Sequence, residues 1–244
     1  MRELIVITDV TTMRGGQVCI AGVNRDFKCI RPVLDRGVTV WNLFKDGESI
    51  IYPSAKIELD LTPTDIDPPH IEDATFDPES ISAKGRFEGK DWETLLRKTS
   101  FDSVEEMFDG YLQDRKVAPG TATRSLGTLS GVGILNLSID DRHDRRTYRM
   151  DFQDSTGAKY ERFPVNDMAF RAYFEDRISR SRNIQQAESR ILANLRHADR
   201  VYLRLGLTRP AEVGGYDETC WAQVTSVYTF PDYLGGKKFT DFDW

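Results

Sequence analysis

Three short β-prone segments crowd into the first 33 residues of this chain, and that crowding constrains the fold more than any other feature. Residues 4–8 form an apolar run, and residues 17–24 form a second after the polar turn at 11–16. Residues 27–33 form a third, after a hairpin turn at 24–26. In this third segment Phe27, Cys29 and Arg31 point one way and Lys28 and Ile30 the other. Residues 55–61 alternate in the same manner and add a fourth strand. Strands this short, joined by turns this tight, suit a small closed or half-closed β-barrel.

The pattern breaks at 62–90, where Pro63, Pro68, Pro69 and Pro78 lie among acidic residues; this stretch reads as an irregular connection. Helices follow at 92–98 and 104–112, with Asp91 and Asp102 or Ser103 as caps. A linker at 115–123 places a domain boundary between 1–118 and 119–244. The second part then restarts the β pattern. Residues 126–139, interrupted by glycines, form one bent strand or two short ones. Residues 149–153 and 159–163 form a hairpin. A helix at 168–178 is capped by Asn166 or Asp167, and Asn183 with Gln186 marks the start of another. Strands from Val201 and Cys220, separated by a Gly-rich turn at 212–216, close the domain. The expected class is α+β, mostly β, with two tandem small barrels carrying helical insertions. The tail ends in Phe239, Phe242 and Trp244, so it packs onto its own domain or onto a partner.

The formal net charge is −6, which excludes a uniformly basic coat, but the charge is unevenly spread. Residues 123–209 hold 16 basic and 11 acidic side chains, and 15 of those 16 are arginine. Arginine offers a planar fork for phosphate oxygens and a flat face for stacking; solvated ion pairs on helices are the alternative use. No run of 18 apolar residues predicts a membrane span, and the charged N-terminal strand does not read as a signal peptide. The three cysteines, Cys19, Cys29 and Cys220, read as reduced thiols of a cytoplasmic protein.

Four groups of residues are candidate sites. Arg204, Arg209, Trp221 and Tyr228 lie on the two last strands, where guanidinium groups beside aromatic rings suit phosphate and base recognition. Arg31 at a strand end and Trp41 in the following loop occupy positions where small barrels bind ligands. Arg145, Arg146 and Arg149, with Arg142 before them, run through a loop into a strand and suit a phosphate backbone, although Asp140, Asp141 and Asp144 dilute their charge. His70, Glu72 and Asp73 include metal-ligating types, but their spacing fits no established pattern, and loop capping or pairing with arginine competes with that use. No phosphate-binding loop, zinc spacing or nucleophile–base set is present. The expectation is therefore a non-enzymatic binding protein without cofactor, its partner a DNA or RNA; the alternative is a nucleotide or small-signal sensor, or an adaptor that docks a partner effector protein.

Several segments, taken in order, resemble the prokaryotic dual OB-fold domain proteins: ELIVIT at 3–8, CIAG at 19–22, CIRP at 29–32, PHIED at 69–73, RLGLTRP at 204–210 and CWAQV at 220–224. The resemblance spans nearly the whole chain, and Ala74 stands where the family pattern carries an aromatic residue. It implies two OB-like barrels that bind nucleic acid or nucleotides. It also implies a genome-defence setting. Separately, the aromatic tail and the acidic first part suit docking onto a partner protein encoded in the same operon.

Overall fold

In the computed structural model, residues 1–64, 67–142, 145–212, 215 and 217–243 are described, with the side chains of Arg142 and Arg145 left aside. Most of the Gly-rich turn at 212–216, His143, Asp144, the Arg145 side chain and Trp244 lie outside that description.

The first barrel is built from β1 (Arg2–Thr12), β2 (Gln17–Asn24), β3 (Cys29–Val33), β4 (Ala55–Pro63) and β5 (Asp73–Phe76). Strand β1 pairs antiparallel with both β2 and β4, β2 pairs with β3, and β5 lies between β3 and β4. The ring therefore closes in the order β1-β2-β3-β5-β4, with β3 and β5 parallel. Ile5, Ile7, Val10, Val18, Ile20, Ile57 and Leu59 fill it, as the period-2 alternation of these strands requires. Gly22 lets β1 and β2 approach closely, since a Cβ there would lie 2.6 Å from the Val6 carbonyl oxygen. The closing strand β5 falls inside the stretch expected to be irregular. It is only four residues long and follows two prolines, so it carries no readable periodicity.

The second half repeats this order of strands. It contains β6 (Leu126–Leu129), β7 (Gly133–Arg142), β8 (Arg145–Gln153), β9 (Lys159–Pro164), β10 (Arg200–Leu207) and β11 (Cys220–Phe230). Strands β7, β8 and β9 form an antiparallel meander, while β6, β10 and β11 pair in sequence. A single parallel bridge between Val165 and Val224 joins the two sheets, leaving a half-barrel. The short strands Ser100–Phe101 and Lys116–Val117 extend this second sheet at its two ends. Both precede residue 118, so the sheet of the second half begins well before the linker.

Besides the single α-helical turn Val104–Met107, capped by Ser103, the longer helices among the described residues are α1 (Gly89–Lys98), α2 (Met168–Ser181) and α3 (Ile184–Arg196). The Asp167 carboxylate caps α2 by accepting from the Ala169 and Phe170 N–H groups, and Asn183 caps α3 through the Gln186 N–H. Helix α1 lies across the seam between the halves. Its Trp92, Leu95 and Leu96 pack with Val6 and Val23 of the first barrel and with Tyr202 and Tyr228 of the second. The tail packs on its own chain: Phe239 meets Phe44 at 6.2 Å and Phe242 meets Tyr173 at 5.6 Å, so it straps the two halves together.

Candidate nucleic-acid interface

The first candidate group does not form a surface. Arg204 is 0% exposed, and its Nε and Nη2 donate to Asp9 Oδ2 at 3.0 and 2.8 Å. Its Nη1 donates to Thr128 Oγ1 at 3.0 Å, and Cys29 Sγ lies 3.6–3.7 Å from the guanidinium. Both members of this pair sit at register shifts, between Ile7 and Asp9 in β1 and between Arg204 and Leu205 in β10. A bulge re-aims side chains, and here it turns Asp9 out of its barrel and towards Arg204. Burial works against the charge on Arg204, but Asp9 and Cys29 beside it hold its pKa above the ordinary value. Tyr228 is buried too; its hydroxyl donates to the Thr8 carbonyl at 2.6 Å and its ring meets Trp92 edge-on at 5.1 Å. The proposed Arg204/Tyr228 platform is thus corrected to an internal joint between the halves. Residues Val201 to Leu207 are all buried, so alternation does not mark Arg204 as inward, and an arginine there reads as outward until its buried partner is known.

The second and fourth groups meet in the same seam. Arg31 is buried, donating through Nε to Asp73 Oδ1 at 2.6 Å and through Nη2 to His70 Nδ1 at 2.9 Å. Arg209, half exposed, also pairs with Asp73. Arginine only donates, so His70 Nδ1 is the acceptor and Nε2 carries the proton, facing Cys220 Sγ at 3.8 Å. Glu72 accepts from the Ser125 N–H at 2.8 Å, the Leu126 N–H at 3.1 Å and the Ser125 hydroxyl at 2.8 Å. Among the described residues no group of three such side chains is placed to hold a metal ion, and His70, Glu72 and Asp73 are engaged with protein partners. Arg31 is likewise corrected from a ligand contact to a seam residue. Trp41 shares none of these contacts. It is 85% exposed and borders a shallow groove of about 180 Å³ with Lys45, Ile50 and Glu79.

This seam has a pH consequence. Burial, and then the charges of Arg31 and Arg209, lower the His70 pKa from 6.5 to about 4, with Asp73 opposing. Between those values the unfolded chain holds a proton that the folded chain has released, so stability is lost as pH falls from 6.5 towards 4. His70→Gln keeps an acceptor for Arg31 but does not titrate. Urea unfolding at pH 7 and pH 4.5 should show the wild type losing about 2 kcal/mol more than this variant. Equal losses in both would remove His70 as the cause.

The basic cluster that remains at the surface lies on β8, β9 and the strand Lys116–Val117. Arg115 Nη1 and Arg149 Nη1 both donate to the Arg162 carbonyl oxygen, at 2.8 and 3.3 Å. Three guanidinium groups thus belong to one patch. Asp140 is the carboxylate paired to it, 3.0 Å from Arg162 Nη2 and 3.5 Å from Arg149 Nε. The Arg162 side chain is 57% exposed. Burial, and then the nearby charges of Arg149 and Arg162, pull the Arg115 pKa below its ordinary value, with Asp114 opposing. Arg115 and Arg162 both have positive φ, 65° and 54°, a region that costs an ordinary residue about 1–2 kcal/mol. Arg162 sits in a bulge, where Glu161 and Arg162 face Asp151 and the Arg162 N–H donates to the Asp151 carboxylate at 2.7 Å. The positive φ of Arg115 belongs to the tight turn between Gln113 and Lys116, which exchange both backbone hydrogen bonds.

Trp221 borders the same patch. Lys116 pairs with it in register and places its ammonium 5.3 Å from the ring centroid, while the Arg115 carbonyl accepts from the Ala222 N–H at 2.8 Å. Arg149 and Trp221 were legible as candidates; Arg115, Lys116 and Arg162 were not. Outward parity with Arg149 on a paired strand was a signal for Arg162. Arg115, in an apparent linker, gave none. Arg146 turns away to pair with Glu175 and Asp141.

The fold and this patch define a mostly-β protein with a closed five-stranded barrel, a half-barrel of the same strand order, and an arginine-rich face on β8 and β9. No protein-family model matches the chain, and neither the curated proteins nor the solved structures contain a match.

Proposed function

We propose that both halves are OB-like barrels and that the chain is a non-enzymatic nucleic-acid-binding protein, with its binding face on β8, β9 and β11 of the second half. The supporting observation is that Arg115 and Arg149 both donate to the Arg162 carbonyl, while Arg149 and Arg162 share Asp140 as their paired carboxylate and Trp221 lies alongside. Strands two and three are the usual ligand face of this architecture, and in the second half these are β8 and β9. The guanidinium groups contact phosphates, and the exposed part of Trp221 contacts a base.

Binding of labelled single- and double-stranded DNA and RNA, each at two salt concentrations, tests this reading. The expected result is binding that weakens with salt. In the Arg149→Ala/Arg162→Ala double variant the slope of log K against log salt falls by about 2. Trp221→Ala costs about 1–3 kcal/mol of affinity for single strands. Absence of binding at low salt, or an unchanged slope in the double variant, rules the face out.

A further inference from the structure

A second basic site lies on the helical insertion, away from β8 and β9. The segment from α2 to α3, residues 168–196, holds six arginines against three acids. Between the two helices is a cavity of about 340 Å³, within the size range of small-ligand sites. Arg177 and Arg180 enter it from α2 and Arg190 from α3, with Asn194 beside them and Ala187 and Ile191 as an apolar floor.

The partners of these arginines differ. Arg180 is held by the buried Asp176, its Nε and Nη2 both 2.9 Å from Oδ1. Arg177 lies over the Tyr173 ring at 4.9 Å, and Asn194 Nδ2 donates to the Tyr173 hydroxyl at 3.5 Å. Among the described residues neither Arg177 nor Arg190 has a carboxylate within 4.0 Å. A cavity with three guanidinium groups, one of them fixed by a buried acid and two without an acidic partner, carries excess positive charge in a partly enclosed space. Such a space concentrates field and favours a compact multivalent anion. Arg177 and Arg190 line the cavity from the two helices with the Asp176-held Arg180 beside them, which suits adjacent phosphoryl groups better than a single carboxylate.

We propose that this cavity binds a pyrophosphate-bearing small molecule, either a nucleoside di- or triphosphate or inorganic pyrophosphate. The inference goes beyond the nucleic-acid face and stands without it.

Titration calorimetry of the full chain with ATP, ADP, inorganic pyrophosphate and adenosine tests it. ATP, ADP and pyrophosphate should bind saturably at one site, and adenosine should not. Arg177→Ala and Arg190→Ala should each weaken binding about tenfold, equivalent to about 1.4 kcal/mol. Both side chains are exposed, so the variants fold. Arg182→Ala, outside the cavity, should bind as the wild type does. ATP tighter than pyrophosphate assigns the nucleotide as ligand; equal affinities assign the pyrophosphate group alone. No saturable binding, or binding unchanged by both cavity variants, overturns the proposal. The Arg149→Ala/Arg162→Ala variant separates the two sites. It should keep its pyrophosphate affinity while losing oligonucleotide, and loss of both together would mean that one surface serves both.

Discussion

Replacing Arg204 by Met should lower the unfolding free energy by about 3–5 kcal/mol, the range expected when one partner of a buried ion pair is removed. Met matches the length of the arginine stem but supplies no donors. Asp9, 1% exposed, would lose its two guanidinium N–H bonds and keep only the Thr8 and Thr225 hydroxyls. Thr128 Oγ1 would lose its donor as well. The cost arises from the stranded carboxylate more than from the missing arginine, and a second variant separates the two. Asp9→Asn with Arg204→Met leaves a neutral side chain in the same place and should recover about half of the loss, a coupling measurable by urea unfolding of the four proteins. A single variant that costs less than about 1 kcal/mol would show that the seam relaxes to hydrate Asp9, and the joint would then contribute little to holding the halves together.

The sequence read well where alternation was strong and badly where polar groups were buried. Residues 17–24 were legible as a strand because apolar and small residues recur over a full strand length, and β2 spans Gln17–Asn24. The cap Asn183 was legible, and Ser103 and Asp167 were legible as one of two neighbours each, because a short acceptor stands just before an apolar periodic run. Strand β5 was not, since its pairing with β3 and β4 lies in backbone bonds that a four-residue segment does not encode by pattern. The arginines divided in the same way. Arg149 faces out on a strand whose alternate residues Tyr148 and Met150 are buried, so parity places it correctly. Arg31 and Arg204 are buried because acids from distant segments meet them, Asp73 and Asp9, at sequence separations of 42 and 195 residues. No local rule distinguishes such an arginine from a surface one; only the tertiary partner does.

Glu72→Ala should cost about 3 kcal/mol, and the loss should fall on the contact between the halves rather than on either barrel. Glu72 immediately precedes β5 of the first barrel, yet the hydrogen bonds its carboxylate accepts come from Ser125 and Leu126 at the start of β6. Truncation leaves two buried backbone N–H groups and one hydroxyl without an acceptor, each costing about 1–3 kcal/mol before relaxation. Glu72→Gln keeps one oxygen for the two N–H groups and turns an N–H towards the Ser125 hydroxyl, which can accept it, so its cost should be smaller, about 1 kcal/mol. The ordering matters more than either value. If Glu72 acts as a link between the halves, native-state hydrogen exchange in Glu72→Ala should speed up first at Ser125 and Leu126 and along the β6–β10 pairing, while Ile5 and Ile20 inside the first barrel stay protected. Uniform loss of protection across both barrels would instead mean that the two halves unfold as one unit and that Glu72 stabilises the whole. Exchange unchanged at Ser125 and Leu126 would show that neither N–H depends on the Glu72 carboxylate. The same measurement on the complex with nucleic acid would then show whether binding on β8 and β9 is felt across this seam.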